Sequence, residues 1–291
     1  MSTKNRIVSV VIPTDNSSAT LRRCLASIQH QSYPHHEIIV IDNHSRDSTV
    51  EIAKEFGVRV IIHRGNRSSA RNVGIRNSLG NYVLFLDSDQ FLESRVVFEC
   101  VELCENGKSG MVFIPEVFMG SNFWGSCSAF WKNCHLRVDE QVRERRHELF
   151  DCVPRFFVKE YLSSAGLLNE DLVWREDYEF YRRLRSLGVG EAWCKSRIFH
   201  NEPSSIRKMV IKNFRYGKFM HKFLNQTRNG PFLSLFNKAF LVLWEALKNL
   251  RETPQLTVGC LLFLFLKAFA TTLGLLSFLL DQKQAMGLAK G

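Results

Sequence analysis

Two common nucleotide-binding signatures are missing from this sequence. No GxGxxG follows the first strand-like run, which excludes a dinucleotide-binding fingerprint, and no GxxxxGK[ST] occurs, which excludes a P-loop. A diphosphate bound by this chain would need a metal ion and basic side chains instead. Also absent is any CxxC pair; the eight cysteines are scattered at 24, 100, 104, 127, 134, 152, 194 and 260. Cys100 and Cys104 stand four apart, on one face of a helix, and read as packed free thiols in preference to a zinc site. With no signal-peptide pattern ahead of the first strand, scattered thiols point to a reducing cytosol. There is no internal repeat and no low-complexity segment.

What is present fits a globular protein. The 291 residues suffice for one large domain plus an appendage. Hydrophobic residues make up 45% and charged residues 23%, so disorder is not expected. The formal charge of +10 calls for an anionic partner: nucleic acid, a phosphate-bearing substrate or an anionic membrane surface.

The first 90 residues alternate between short apolar runs and amphipathic segments. Strands are expected at Ile7 to Ile12, Ile38 to Ile41, Val58 to Ile62 and Tyr82 to Leu86. Helices are expected at 18–31, Ser48 to Phe56 and Ser68 to Leu79, the last two stopped by Gly57 and Gly80. This alternation implies a mainly parallel α/β sheet with right-handed crossovers. Further on, Met111 to Pro115 and Phe118 to Phe130 read as strands, and 136–149 as an exposed helix or loop. Val158 to Ala165 and Asp177 to Leu187 read as helices, and Ala192 to His200 as a final strand.

In open α/β sheets, ligands bind beyond the carboxyl ends of the strands. Thr14, Asp15 and Asn16 follow the first strand, Asp42, Asn43 and Ser45 the second, and Asp87, Ser88 and Asp89 the fourth. Asp87 and Asp89 bracket one residue, and two such carboxylates repel unless something positive lies between them. A divalent cation with hard oxygen ligands, Mg²⁺ or Mn²⁺, supplies that charge and bridges to a diphosphate. A lone DxD triplet reads first as a turn with capping aspartates; its place after a strand, with Asp42 on a neighbouring strand end, reverses that in favour of the metal. Arg71 is a basic candidate. Glu176 and Asp177 open an amphipathic helix, where the dipole favours carboxylates; either could serve as a general base. His200 ends the last strand and could complete a metal shell or touch the diphosphate.

Taken in order, these segments resemble the family 2 glycosyltransferases, which have the GT-A fold. VSVVIPTDNSSATLRRCLASIQHQSYPHHEIIVIDNHSRDST resembles the family's opening strand–helix–strand block. SSARNVGI and GNYVLFLDSDQFL resemble its nucleotide-binding helix and metal strand, and SAGLLNEDLVWREDYEFYRRLRSLG its acceptor-side block. The resemblance covers roughly residues 7–203. It implies donor-binding roles for Pro13, Thr14, Asn16, Asp42, Ser45, Arg71, Asn72 and Asp87, with Asp42 near the base. It implies a divalent metal, Mn or Mg, at Asp87, Asp89 and His200. Asp177, beside Glu176, would be the base of a single inverting displacement. The sequence departs from the family at Thr14-Asp15-Asn16, where an aromatic usually precedes the asparagine, and 116–150 matches no family pattern.

Past residue 204 the character changes. Residues 204–230 hold seven Lys or Arg and no Asp or Glu, and Lys208, Lys212, Arg215, Lys218 and Lys222 fall on one helical stripe. Leu256 to Leu280 is a run of 25 residues with Lys267 its single charge, long enough to span a ~30 Å hydrocarbon core. It could also lie in the interface with residues 232–248.

The expected organisation is a GT-A catalytic domain at 1–203, a basic amphipathic linker helix at 204–230 and a hydrophobic membrane-associated tail at 231–291, with a candidate transmembrane helix at 256–280. The expected partners are a nucleotide-sugar donor, a lipid-linked or glycan acceptor and a membrane, with no nucleic acid. The expected location is the cell membrane, with the catalytic domain on the cytoplasmic side because basic residues stay inside. A non-catalytic nucleotide-sugar or lipid-phosphate binding membrane protein is the alternative. A sugar-nucleotide synthesising enzyme ranks below both, because VIPTDNSS lacks the glycine-rich loop usual there.

Overall fold

The computed structural model describes residues 6–107, 109–143, 152–173, 175–202, 205–226 and 232–288. The chain divides into two compact units. The first comprises 1–117, 152–170 and 176–200; the second comprises 118–151, 171–175 and 201–291.

In the first unit, β1 (Val8–Thr14), α1 (Ser18–Gln29), β2 (His36–Asp42), α2 (Thr49–Glu55), β3 (Arg59–Ile62), α3 (Arg67–Asn77) and β4 (Tyr82–Phe85) follow the expected alternation. Then come β5 (Gln90–Leu92), α4 (Val96–Gly107) and β6 (Met111–Phe113). The strand β7 (Glu116–Gly120) leads into the second unit's α5 (Phe123–Arg143). The chain returns through β8 (Phe156–Val158), α6 (Lys159–Ser164), α7 (Glu176–Ser186), β9 (Glu191–Trp193) and β10 (Ile198–Glu202).

Seven strands form one sheet in the order β3-β2-β1-β4-β8-β6-β9. β3, β2, β1 and β4 are mutually parallel, while β8 runs antiparallel to both β4 and β6. The parallel part needs both faces covered, which explains its largely apolar strands, such as Val10–Ile12 and Ile38–Ile41. Successive side chains point to opposite faces. Val8, Val10, Ile12, Val40 and Leu84 therefore pack with α1, α2 and α4, while Val11, Ile39, Ile41, Val83 and Phe85 pack with α3 and α7. At Gly74 in α3, an added Cβ would lie 2.2 Å from Val11 Cγ1, so the helix axis sits close to the sheet. A smaller sheet has the order β5-β10-β7.

Two expectations need correction. Phe118 to Phe130 is not a strand: only Glu116–Gly120 is extended, and α5 begins at Phe123. Ala192 to His200 is not one strand but two. β9 pairs with β6 in the large sheet, and β10 pairs with β5 in the small one. Residues 144–149 of the expected charged segment lie outside the described residues, as do 204, 227–231 and 289–291 of the C-terminal regions.

The second unit is helical: α5, α8 (Ile206–Gln226), α9 (Phe232–Lys248) and α10 (Pro254–Leu288). Trp131, Cys134 and Val138 of α5 pack with Val242 and Ala246 of α9 and Cys260 of α10. α8 and α10 approach backbone to backbone. A Cβ at Gly217 would meet Thr271 O at 2.0 Å, and one at Gly274 would meet Phe214 O at 2.0 Å. Small residues at both crossing points permit this approach. Arg215 and Leu273 are among the exposed side chains that leave this pair. All eight cysteines are free and buried, Cys100 and Cys104 among them, and burial raises both of these thiols.

Candidate active site

The parallel order β2-β1-β4 brings Asp42, Thr14 and Asp87 to the same, carboxyl-terminal end of the sheet. Around them, the first unit holds two clusters of polar side chains.

The first cluster closes the turns after β1 and β2. Asp42 is fully buried. Its Oδ1 accepts from Thr14 Oγ1 at 2.8 Å and Ser45 Oγ at 2.6 Å, and its Oδ2 from Ser45 N at 2.8 Å. Ser45 Oγ in turn accepts from Asn16 N at 2.8 Å, and Asn16 Oδ1 accepts from Arg46 N at 2.9 Å. Asn16 sits at φ +49° and His44 at φ +53°, left-handed conformations that asparagine tolerates better than most residues. Asp15 is exposed, and its carboxylate accepts from the side chains of Asn16 and Asn43. Pro13 is half-buried beside this turn.

The second cluster is built around Asp87. Arg67 and Arg71, four residues apart, occupy one face of α3, whose N-terminus is capped by Asn66 Oδ1 accepting from Ser69 N at 2.9 Å. Arg71 Nη2 reaches Asp87 Oδ1 at 2.9 Å; Arg155 Nη1 and Arg67 Nη1 lie 3.3 and 3.8 Å from Asp87 Oδ2. Burial would raise the Asp87 carboxyl, but Arg71, then Arg155 and Arg67, and His200 hold it well below the usual carboxylate range. Arg155 also grips Glu116, with Nε and Nη2 each 2.7 Å from Oε1. Burial opposes charge on Glu116 too, yet Arg155 and His200 outweigh it and bring the carboxyl down to about 2.

His200 Nδ1 stands 3.2 Å from Glu116 Oε2, and Nε2 stands 3.4 Å from Asp89 Oδ1. Burial lowers the imidazole, and the bonds to Asp89 and Glu116 more than reverse this, raising it to about 9. The imidazole is therefore cationic at neutral pH.

Glu176 is buried and pairs with Arg67 Nε at 2.9 Å. Burial raises its carboxyl, with Arg67 acting against it. Glu176 Oε2 and Arg71 Nε are buried without a hydrogen-bond partner. Unpaired buried polar atoms are costly, and here both belong to one charged cluster. Asp177 is half-buried and accepts from Tyr178 N at 2.8 Å. It lines a cavity of about 10 Å³ together with Arg71, Arg155 and Phe85. Asn72 lies apart from both clusters: its side chain clasps Leu168 N, Leu168 O and Glu170 Oε1 at 2.8 to 3.0 Å.

Among the expected residues, Arg71, Asp87, Asp89, Glu176 and His200 thus share one network, with Asp177 beside it on the cavity wall, while Thr14, Asn16, Asp42 and Ser45 share another. Ser88 Oγ joins the turns by donating to Ser17 Oγ at 2.8 Å. Sequence reasoning missed Arg67, Glu116 and Arg155. Arg67 carried a signal, being one helical turn ahead of Arg71. Glu116 follows an apolar run as Asp42 and Asp87 do. Arg155 had no local signature.

A divalent cation can be weighed against this donor set. Asp89 is a half-buried carboxylate next to an imidazole; its oxygens suit Mn²⁺ or Mg²⁺, and a nitrogen ligand beside them favours Mn²⁺ of the two. A cation taking Nε2 would replace its proton. Asp87 is already neutralised by guanidinium groups. Among the described residues, no group of three His, Cys, Asp or Glu side chains could hold a metal by itself. Asp89 and His200 therefore fit a divalent cation only if its other ligands would come from outside the protein.

The family model described as glycosyl transferase family 2 matches residues 9–163. The glycosyltransferase GlyA of Streptococcus pneumoniae is 42% identical over 96 residues, 31% of this chain and 14% of that protein. This chain therefore spans only a small part of GlyA. The glycosyltransferase AglE of Haloferax volcanii is 24% identical over 220 residues, 72% of each chain. Among solved structures, the mannosyltransferase PcManGT from Pyrobaculum calidifontis, in complex with GDP-Man and Mn²⁺, shares the fold. Its TM-score is 0.56 at 18% identity, covering 98% of this chain and 81% of that one.

Proposed function

Because the chain belongs to glycosyltransferase family 2, we propose that it transfers a sugar from a nucleoside-diphosphate donor to a hydroxyl with inversion at the anomeric carbon. The carrying observation is the Asp87 cluster. Three arginines surround one carboxylate at the carboxyl end of the parallel strands, and a second carboxylate, Asp177, lines a small cavity with two of them.

In this reading, Asp177 accepts the proton of the attacking hydroxyl. Arg71 is too deeply buried to reach far, so it fixes Asp87 from behind. Arg67, with 40% of its side chain exposed, reaches the departing diphosphate and offsets its charge. Asp89 and His200, beside Asp87, would hold a divalent metal. When bound, the metal supplies Lewis-acid stabilisation of the leaving group. Pro13, Thr14, Asn16, Asp42 and Ser45 shape the turn on which the nucleoside rests. Arg155 and Glu116 keep Asp87 and His200 in place.

The acceptor is a lipid-linked or membrane glycan, and the C-terminal helices hold the protein at the cytoplasmic face of the cell membrane. Support comes from Pro254–Asp281, 28 residues long enough to cross a bilayer, within which an 18-residue stretch has a mean hydropathy of 2.0. The basic side chains of α8 suit an anionic leaflet.

Asp177→Asn tests the chemistry. Donor binding, followed by thermal shift with nucleotide-sugars, stays intact, while transfer falls by roughly 10²- to 10⁴-fold, the usual contribution of a positioned base. Transfer within a few-fold of wild type would remove Asp177 from this role.

A further inference from the structure

The second unit contains a cavity of about 410 Å³ that the catalytic reading does not use. That volume lies within the range of small-molecule sites. Three elements supply its charged groups: Lys132 from α5, Lys212 from α8 and Lys267 from α10. Glu202 is the one acidic side chain in the lining. It is buried, and its carboxylate is engaged by Ser128 Oγ at 2.6 Å and Lys132 Nζ at 2.5 Å. The described lining thus carries three ammonium groups and one carboxylate. The remaining wall is apolar and aromatic, including Trp131, Met209 and Phe263.

Lys267 is the informative member. It is the single charge in a 25-residue apolar run. A lysine at the centre of a bilayer-spanning helix is costly when it faces lipid, so such residues turn inward and mark ligand sites. In α10, Phe263, Lys267 and Thr271 follow at intervals of four, so one helical face looks into the cavity. A different face of the same helix exposes Leu262, Phe265, Phe269, Leu273, Leu276 and Leu280, spaced for contact with hydrocarbon. Cationic groups lined by apolar carbon, on a helix with an outward apolar stripe, match a molecule that is anionic at one end and greasy at the other.

We propose that this cavity binds the phosphate of a membrane lipid between Lys132, Lys212 and Lys267, with the adjoining carbons against Trp131, Met209 and Phe263. In naming a lipid as the source of the phosphate, the assignment rests on the membrane association proposed above.

The test uses the full chain in detergent and three probes: dioctanoyl phosphatidic acid, dioctanoyl glycerol and inorganic phosphate. Phosphatidic acid binds the wild type more tightly than either partial probe, and the variant K212Q/K267Q weakens it by roughly 10- to 100-fold, as expected for lost charge-assisted bonds. The assignment is overturned if dioctanoyl glycerol binds as well, which removes the phosphate. It is also overturned if inorganic phosphate binds as well, which removes the lipid, or if the variant binds within twofold of wild type.

Should the variant fail to fold by circular dichroism, a diazirine-bearing phosphatidic acid is photo-crosslinked to the wild type. Labelled peptides from α8 and α10 support the site, and labelling confined to other segments refutes it. Nucleotide-sugar binding is measured on the same samples. Its loss in the wild type would count against the transferase reading and leave the lipid site standing.

Discussion

Replacing Arg155 with methionine removes the guanidinium that ties Asp87 to Glu116 while keeping an unbranched side chain of similar reach. The wild-type contacts are 3.3 Å to Asp87 and 2.7 Å to Glu116, with Arg155 only 10% exposed at the side chain. Breaking a buried pair by removing one partner costs about 3–5 kcal/mol, because a desolvated charge is left behind. Here Asp87 retains Arg71 at 2.9 Å and Glu116 retains His200 at 3.2 Å, which places the loss near the lower end. A loss of about 3 kcal/mol corresponds to a fall in Tm of roughly 6–12 °C for a unit of this size. The sign with pH is also fixed. In the wild type, Glu116 titrates near 2 and stays charged and paired at neutral pH. Without Arg155, its carboxyl and that of Asp87 climb toward ordinary values. Acidification toward pH 4 protonates the unfolded chain's carboxyls first, so the wild type, whose depressed carboxyls stay charged, loses stability that the variant never had, and the gap between them narrows. Differential scanning calorimetry at pH 7 and pH 4 reads both effects. A Tm within about 2 °C of wild type at pH 7, or a gap that widens in acid, would refute the reasoning.

Two further outcomes follow from packing and capping. Gly217→Ala places a Cβ 2.0 Å from Thr271 O, so α8 and α10 must separate, at a cost of about 1–3 kcal/mol for overpacking. Alanine's helix propensity favours the substitution by about 1 kcal/mol, so a raised Tm would show that the close approach is not required. Glu99 is pushed up by burial but pulled down further by hydrogen bonds from Ser196, Cys194 and Lys195, to about 2. Because the folded value is depressed, its contribution is present above the unfolded value and is lost as pH falls toward 2. Glu99→Gln therefore loses Tm at pH 7 and approaches wild type in acid; an equal deficit at both pH values would contradict this.

The parallel half of the fold was legible because its signal is local. Ile7 to Ile12, interrupted at Ser9 alone, and Ile38 to Ile41 are apolar runs of strand length, each followed by polar groups at the next turn. Helix α3 was legible for the same reason, and with it Arg71. The middle of the chain was not. Helix α5 opens FWGSCSAFW, whose aromatics, glycine and serines have little helix propensity. Its helicity comes from packing Trp131 and Cys134 against α9 and α10, which no local window contains. The segment Ala192 to His200 reads as one apolar run, yet Trp193 and Ile198 end in different sheets. At the site, Asp87, Asp89 and Asp177 stood out by position, whereas Arg155 and Glu116 did not. Their role depends on β8 entering the sheet antiparallel beside β4, a tertiary event that brings Arg155 to Asp87 across 68 residues.

The central claim is that Asp89 and His200, next to the arginine-held Asp87, hold a cation that joins the protein to a nucleoside diphosphate. Calorimetric titration of nucleotide-sugars, with and without Mn²⁺, into the wild type and Asp89→Ala tests it most directly. The account predicts binding of at least one UDP- or GDP-sugar that tightens markedly with Mn²⁺ in the wild type and is indifferent to Mn²⁺ in Asp89→Ala. Donor binding of equal strength with Mn²⁺ and with chelator in the wild type, or an undiminished Mn²⁺ effect in the variant, would contradict it.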